Sequence, residues 1–223
     1  MAKKFSKKEA ISFGWNITRN NFKLFVILVI ISFLVPFVFG RIVDFLDDDY
    51  SVLSFIVFII SWILSMIISL GLIKIVLNLL DNKEGKFSDL FSQFPIFFKY
   101  LFGYILYGLI VFVGFILLII PGIIWGIKYQ FFTYFIVDKN VGPIEALKRS
   151  SEITRGAKWD LFLFGLLLGF INFLGVLCLV IGLLVTFPIT MVASAFVYRK
   201  LLSHIENVPP AKSSDYIEKE VIS

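Results

Sequence analysis

The chain holds one cysteine and one histidine in 223 residues, and from Leu161 to Tyr198 no side chain carries a charge. A single cysteine, Cys178, excludes a disulfide framework or a thiolate metal cluster within one chain, and its apolar setting predicts a small core residue. The lone histidine, His204, follows Arg199 and Lys200 with no second histidine, cysteine or carboxylate group near it in sequence, so no metal donor set forms there. The patterns G-x-x-x-x-G-K-[ST], G-x-S-x-G and H-E-x-x-H are missing, which removes the starting points for ATP hydrolysis, serine hydrolysis and zinc proteolysis. Glu145, Asp160 and His204 are too scattered to nominate an acid/base pair. The expectation is a protein that is not an enzyme and needs no cofactor. Basic residues are not grouped with stacking aromatics in a soluble domain, so no nucleic-acid partner is expected.

What is present is apolar. Hydrophobic residues make up 59% of the chain and charged residues 17%, with a mean hydropathy of +0.93, outside the range of soluble domains. A bilayer core of about 30 Å takes about 20 apolar residues per helix. Runs over 24–40, 51–80, 100–120 and 122–137 approach or meet that length, and the uncharged run after Leu161 is long enough for two helices that part near Gly175 to Gly182. Six spans follow, the third and fourth joined by a tight Pro121-Gly122 turn. The basic N-terminus lacks a small-residue cleavage pattern, so the first span is expected to be retained.

Lys and Arg set the orientation, because positive charge stays on the cytoplasmic side of short loops. With six spans, 20 of the 21 basic residues fall on one side, including Lys3, Lys4, Lys212 and Lys219. Only Arg41 lies opposite, in a loop with Asp44, Asp47, Asp48 and Asp49 that reads as solvated and acidic. The chain is therefore expected in the cytoplasmic membrane as a multi-pass protein, with both termini in the cytoplasm.

The polar stretch EALKRSSEITRG, Glu145 to Gly156, echoes EAISFGWNITRN, Glu9 to Asn20. Helical spacing predicts a helix over 143–155 with Ala146, Leu147, Ser150, Ile153 and Thr154 on one face. The overlay matches Ala10, Ile11, Gly14, Ile17 and Thr18 to that face. Small residues there favour docking on a bundle over dipping into lipid. A third segment, KFSDLFSQFPIFFKY, is expected to group Leu90, Phe91, Phe94 and Phe98 on a lipid-facing helix. The fold expected is an all-α, polytopic six-helix transmembrane bundle. It is built from three units, each an interfacial amphipathic helix followed by a transmembrane hairpin, at about 5–81, 86–138 and 143–204. They make one membrane domain, 1–205, with a flexible polar tail at 206–223 on the cytoplasmic side.

Three stretches carry a resemblance: Gly71 to Phe94, Ile119 to Gly156, and FPITMVASAFVYRKLL near the end. In them the chain resembles uncharacterised prokaryotic integral membrane proteins related to the membrane domain attached to some glycerophosphoryl diester phosphodiesterases. The resemblance implies a membrane module and not the phosphodiesterase reaction, whose barrel of some 250 residues has no room here.

Two sets of polar residues remain. Lys128 and Gln130, with Lys74, fall inside predicted spans, where a charge costs at least about 2.5 kcal/mol and faces a partner or a wet cavity. Asp138, Asp160, Asn172 and tyrosines are open as partners of Lys128. Arg19, Lys23, Arg155 and Lys158 fall where an amphipathic helix meets a span, at headgroup depth, and either anchor the chain or hold anionic headgroups. The function expected is a module that organises lipid, or a membrane or cytoplasmic protein partner. The alternative is a small transporter or channel with a polar path around Lys128.

Overall fold

Uninterrupted runs of Leu, Ile, Val and Phe leave the backbone no partner but itself, and the helix satisfies that demand within one segment. The computed structural model describes residues 5–46, 51–178 and 181–206. Lys3, Lys4, Asp47, Asp48, Asp49, Lys212, Lys219 and the tail beyond Glu206 lie outside the described residues. Among those described there is no strand, and nine α-helices follow one another: α1 (Lys7–Asn20), α2 (Phe22–Phe45), α3 (Ser51–Leu80), α4 (Phe97–Leu117), α5 (Ile119–Tyr129), α6 (Phe132–Lys139), α7 (Pro143–Ile153), α8 (Lys158–Leu177) and α9 (Leu183–Glu206). Five helical stretches are long and apolar enough to cross a membrane, those of α2, α3, α4, α8 and α9.

The expected fourth span is not one helix. It is divided at Gln130 and Phe131 into α5, of 11 residues, and α6, of 8. The turn before it also differs from expectation. Leu118 is extended, with φ −168° and ψ 154°, and makes the reversal, while Pro121 sits in the first turn of α5 where its missing N–H costs nothing. Gly122 serves a helix crossing: a Cβ on Gly114 would lie 2.8 Å from the Gly122 Cα. At the other end of the hairpin, Lys99 Nζ reaches the Asn140 carbonyl at 2.9 Å and its side-chain oxygen at 2.8 Å. The pair α5–α6 thus retraces α4 from end to end. The uncharged run divides where Gly175 and Gly182 meet, between α8 and α9. Cys178, expected in the core, is exposed there at the end of α8.

Three short segments close the charged end. Helix α1 buries Ala10, Gly14 and Thr18 against α9, with Phe13 on Phe196 at 4.7 Å between ring centres. A Cβ on Gly14 would stand 2.5 Å from the Ile189 carbonyl oxygen, so only glycine permits that approach. Helix α7 buries Ala146, Leu147, Ser150 and Ile153 against α4, α5 and α6, with Glu145 and Arg149 paired on its outer face. The Phe-rich segment departs from expectation. It forms two 3-10 turns, Phe87–Leu90 and Phe94–Ile96, rather than an amphipathic helix. Leu90 is buried against α3, while Phe91, Phe94 and Phe98 are exposed instead of sharing its face. Pro95 supplies the reason, since it removes an N–H and disfavours helix at the residue before it.

The core sits toward the charged end. Buried positions of α2 are Phe25, Leu28 and Val29, near its start, and those of α3 run from Met66 to Leu79, in its second half. In α9, Val192, Ala193, Ala195, Val197 and Tyr198 are sealed. Arg199 fastens this end. It donates to both oxygens of Asp138, at 2.8 and 2.9 Å, and to Asp81 at 2.8 Å, while the Tyr198 hydroxyl donates to Asp138 at 3.0 Å. The ends of α3 and α6 thus meet α9 on one guanidinium.

Candidate functional site

A broken helix in an apolar surrounding must place its freed backbone groups. Between α5 and α6 side chains take them up one by one. Ser150 Oγ accepts from the Phe131 N–H at 3.1 Å and donates to the Lys128 carbonyl at 3.1 Å. The Gln130 amide folds back to the Ile127 carbonyl at 3.0 Å, and the Tyr107 hydroxyl donates to the Gly126 carbonyl at 3.3 Å. Thr154 Oγ1 lies 3.1 Å from the Lys128 carbonyl and 3.0 Å from that of Ser150, with one hydrogen to give. Both hydroxyl residues are fully buried. Helix α7 therefore mends the break with side chains one turn apart.

That docking brings Lys128 to the C-terminal end of α7 and the start of α8. Lys128, Ser151, Glu152, Arg155 and Lys158 surround a polar cavity of about 310 Å³. Two apolar grooves adjoin it, one on each side of α5. The first, about 580 Å³, runs between α5 and α8 past Ile120, Ile123, Ile124, Ile127, Trp159 and Phe162, and shares Lys158 with the polar cavity. The second, about 430 Å³, runs between α4 and α5 past Leu109, Ile110, Val113, Trp125 and Tyr129, and shares Lys128. The Lys128 ammonium also stands 4.8 Å from the centre of the Tyr129 ring.

The residues singled out in the sequence are thus sorted by the fold. Lys128, Arg155 and Lys158, from both sets, come together. Arg19 and Lys23 do not line this cavity; they are exposed at the junction of α1 and α2. Lys74 is half-buried on α3 and lines neither cavity that touches Lys128. Gln130 caps a carbonyl in the break. The carboxylates considered for Lys128 are engaged elsewhere: Asp138 binds Arg199 and Asp160 lies 3.7 Å from Lys7. Asn172 bonds Thr190 at 3.1 Å. Sequence reasoning placed Ser150 and Thr154 on the docked face without giving their hydroxyls a task. The signal was there, since two hydroxyls on a face meant for burial require partners. Glu152, exposed on α7, also lines the cavity. Among the described residues no three His, Cys, Asp or Glu side chains are grouped to hold a metal ion.

Among the described residues all regular elements are helical, and five apolar helices of membrane-spanning length mark a membrane protein. Residues 108–204 match the family described as "Protein of unknown function (DUF975)", a stretch that contains every residue of the polar cavity. Similar curated proteins are uncharacterised ones from Mycobacterium bovis and Mycobacterium tuberculosis, each 28% identical over 169 residues. The match takes in 72% of this chain and 50% of theirs, so the chain spans about half the length of the curated relatives it matches. Neither match is described as a phosphodiesterase membrane domain. No solved structure matches.

Proposed function

We propose that the protein is a non-catalytic, six-span module of the cytoplasmic membrane that organises lipid or a membrane partner through its cytoplasmic face. The observation that carries this reading is the closed collar at the charged end. In a three-unit arrangement each collar segment docks on the second membrane helix of a neighbouring unit: α1 on α9, the turn at Phe87–Leu90 on α3, and α7 on α5–α6. That is the pattern of a ring around an axis along the membrane normal. Two further features support the units. The pair α5–α6 matches α4 in extent, as a sixth crossing would. Helices α3 and α6 each have an aspartate within one residue of their last position, Asp81 and Asp138, followed within two residues by a left-handed asparagine, Asn82 at φ 55° and Asn140 at φ 51°. With the positive-inside asymmetry, the collar and both termini are cytoplasmic.

Native mass spectrometry of gently extracted protein tests the reading. Retained lipid, or a co-purifying membrane or cytoplasmic protein, is expected. Folded protein that comes away bare, and whose stability is indifferent to added lipid, overturns it.

The helix break at Gln130 and Phe131 favours a second reading, transport along a polar path at Lys128, because broken helices build many transporter sites. Here the freed backbone groups are already bonded by Ser150, Gln130 and Tyr107, which leaves them unavailable to a substrate. Reconstituted protein is therefore expected to carry no anion flux. A flux that Lys128→Leu abolishes would reverse the order of the two readings.

A further inference from the structure

We infer that the polar cavity and its two grooves form a binding site for one phospholipid with a net negative, phosphate-bearing headgroup, seated astride α5. The inference rests on the lipid-organising reading above and gives it a place and a ligand class.

The cavity supplies two ammonium groups and one guanidinium, from Lys128, Lys158 and Arg155, against one carboxylate, Glu152. Its lining thus carries a net positive charge and, with Ser151, a hydroxyl. A tetrahedral oxyanion suits this set, because separate oxygens can accept from separate cations. A small soluble anion would need nothing more. The surroundings are built for something longer: each groove begins at a lysine that also faces the polar cavity, Lys158 on one side and Lys128 on the other. Both then continue along α5 over isoleucine, leucine, valine and aromatic side chains. A charged chamber flanked by two apolar grooves, each sharing a lysine with it, matches an amphiphile with one head and two tails. Lysine stems suit the junctions, since their methylenes lie against the tails while the ammonium turns to the head.

Ser150 and Thr154 give the site its stiffness. They fix the depth at which α7 meets α5, and so the spacing between Lys128 on one element and Arg155 and Lys158 beyond the other. A headgroup bridging these cations would hold α5, α7 and α8 together as a single ligand.

The test places full-length protein in nanodiscs of equal parts phosphatidylglycerol and phosphatidylcholine, then releases it for native mass spectrometry. Wild type is expected to keep one phosphatidylglycerol with roughly tenfold preference over phosphatidylcholine, equivalent to about 1.4 kcal/mol. The Lys128→Gln, Arg155→Gln, Lys158→Gln triple variant should lose the preference. Arg19→Gln with Lys23→Gln, outside the cavity, should keep it. Ile124→Trp, which fills a groove and leaves the cations in place, should weaken retention as well. Circular dichroism and a monodisperse elution profile confirm that each variant is folded. If the triple variant keeps the wild-type preference, the site is wrong while lipid organisation stands. Displacement of the lipid by millimolar inorganic phosphate would show a free-anion site and overturn the lipid assignment. Wild type that retains no lipid overturns this site, and the broader reading falls with it when no protein partner co-purifies and stability is indifferent to added lipid.

Discussion

Removing both hydroxyls that mend the broken helix, with Ser150→Ala and Thr154→Val, is expected to cost about 2–6 kcal/mol of stability. The Phe131 N–H and the Lys128 carbonyl then lose their side-chain partners in a buried setting, and each such loss costs about 1–3 kcal/mol. Ser150→Ala alone should cost less, because Thr154 already lies 3.1 Å from the Lys128 carbonyl and can give it its one hydrogen. Only the Phe131 N–H is then stranded. Denaturation in mixed detergent, followed by tryptophan fluorescence, measures the difference. A double variant no less stable than Ser150→Ala would mean that the Lys128 carbonyl finds another donor, and a single variant equal to wild type would sink the account of the break.

Gly71→Val is expected to act through backbone rather than side chains. An added Cβ at Gly71 runs into the Leu90 Cα, carbonyl carbon and oxygen, none of which has a rotamer with which to retreat. Overpacking of this kind costs about 1–3 kcal/mol or more, and β-branching puts the new methyls against the same turn. The loss should be local at first, with faster hydrogen exchange over 83–96 and little change in α7. Gly108→Ala is the control, since nothing lies within 4 Å of the position its Cβ would take. Equal exchange in the two variants would show that the Phe87–Leu90 turn is not held by its approach to α3.

The sequence made α7 legible because its pattern is local: Pro143 in the first turn, an apolar stripe at helical spacing, and Gly156, which takes φ 79°. The parting of α8 from α9 was legible for a similar reason, as a charge-free run twice the thickness of a bilayer must turn back. The break between α5 and α6 was not. The stretch IKYQFFTYF holds neither glycine nor proline, and what makes the break tolerable is Ser150, 19 residues from Phe131. The Pro121-Gly122 pair misled in the opposite direction. Proline fits a first helical turn as well as a loop, and the glycine is there for a helix crossing. At the candidate site, Lys128 drew notice as a charge within a span, and Arg155 and Lys158 as charges at a junction. That all three share one cavity depends on the angle at which α7 docks, which no local pattern encodes.

The meeting of Asp81, Asp138 and Arg199 has a consequence for the order in which the protein is built. Both carboxylates accept from the same Arg199 nitrogen, and Lys139 gives Asp138 a second cation at 3.8 Å. Ribosomes deliver α3 and α6 to the membrane before α9. Until α9 arrives, the ends of the first two lack the guanidinium that joins them. In this way the final helix acts as a keystone, closing a contact between two helix ends that precede it in the chain.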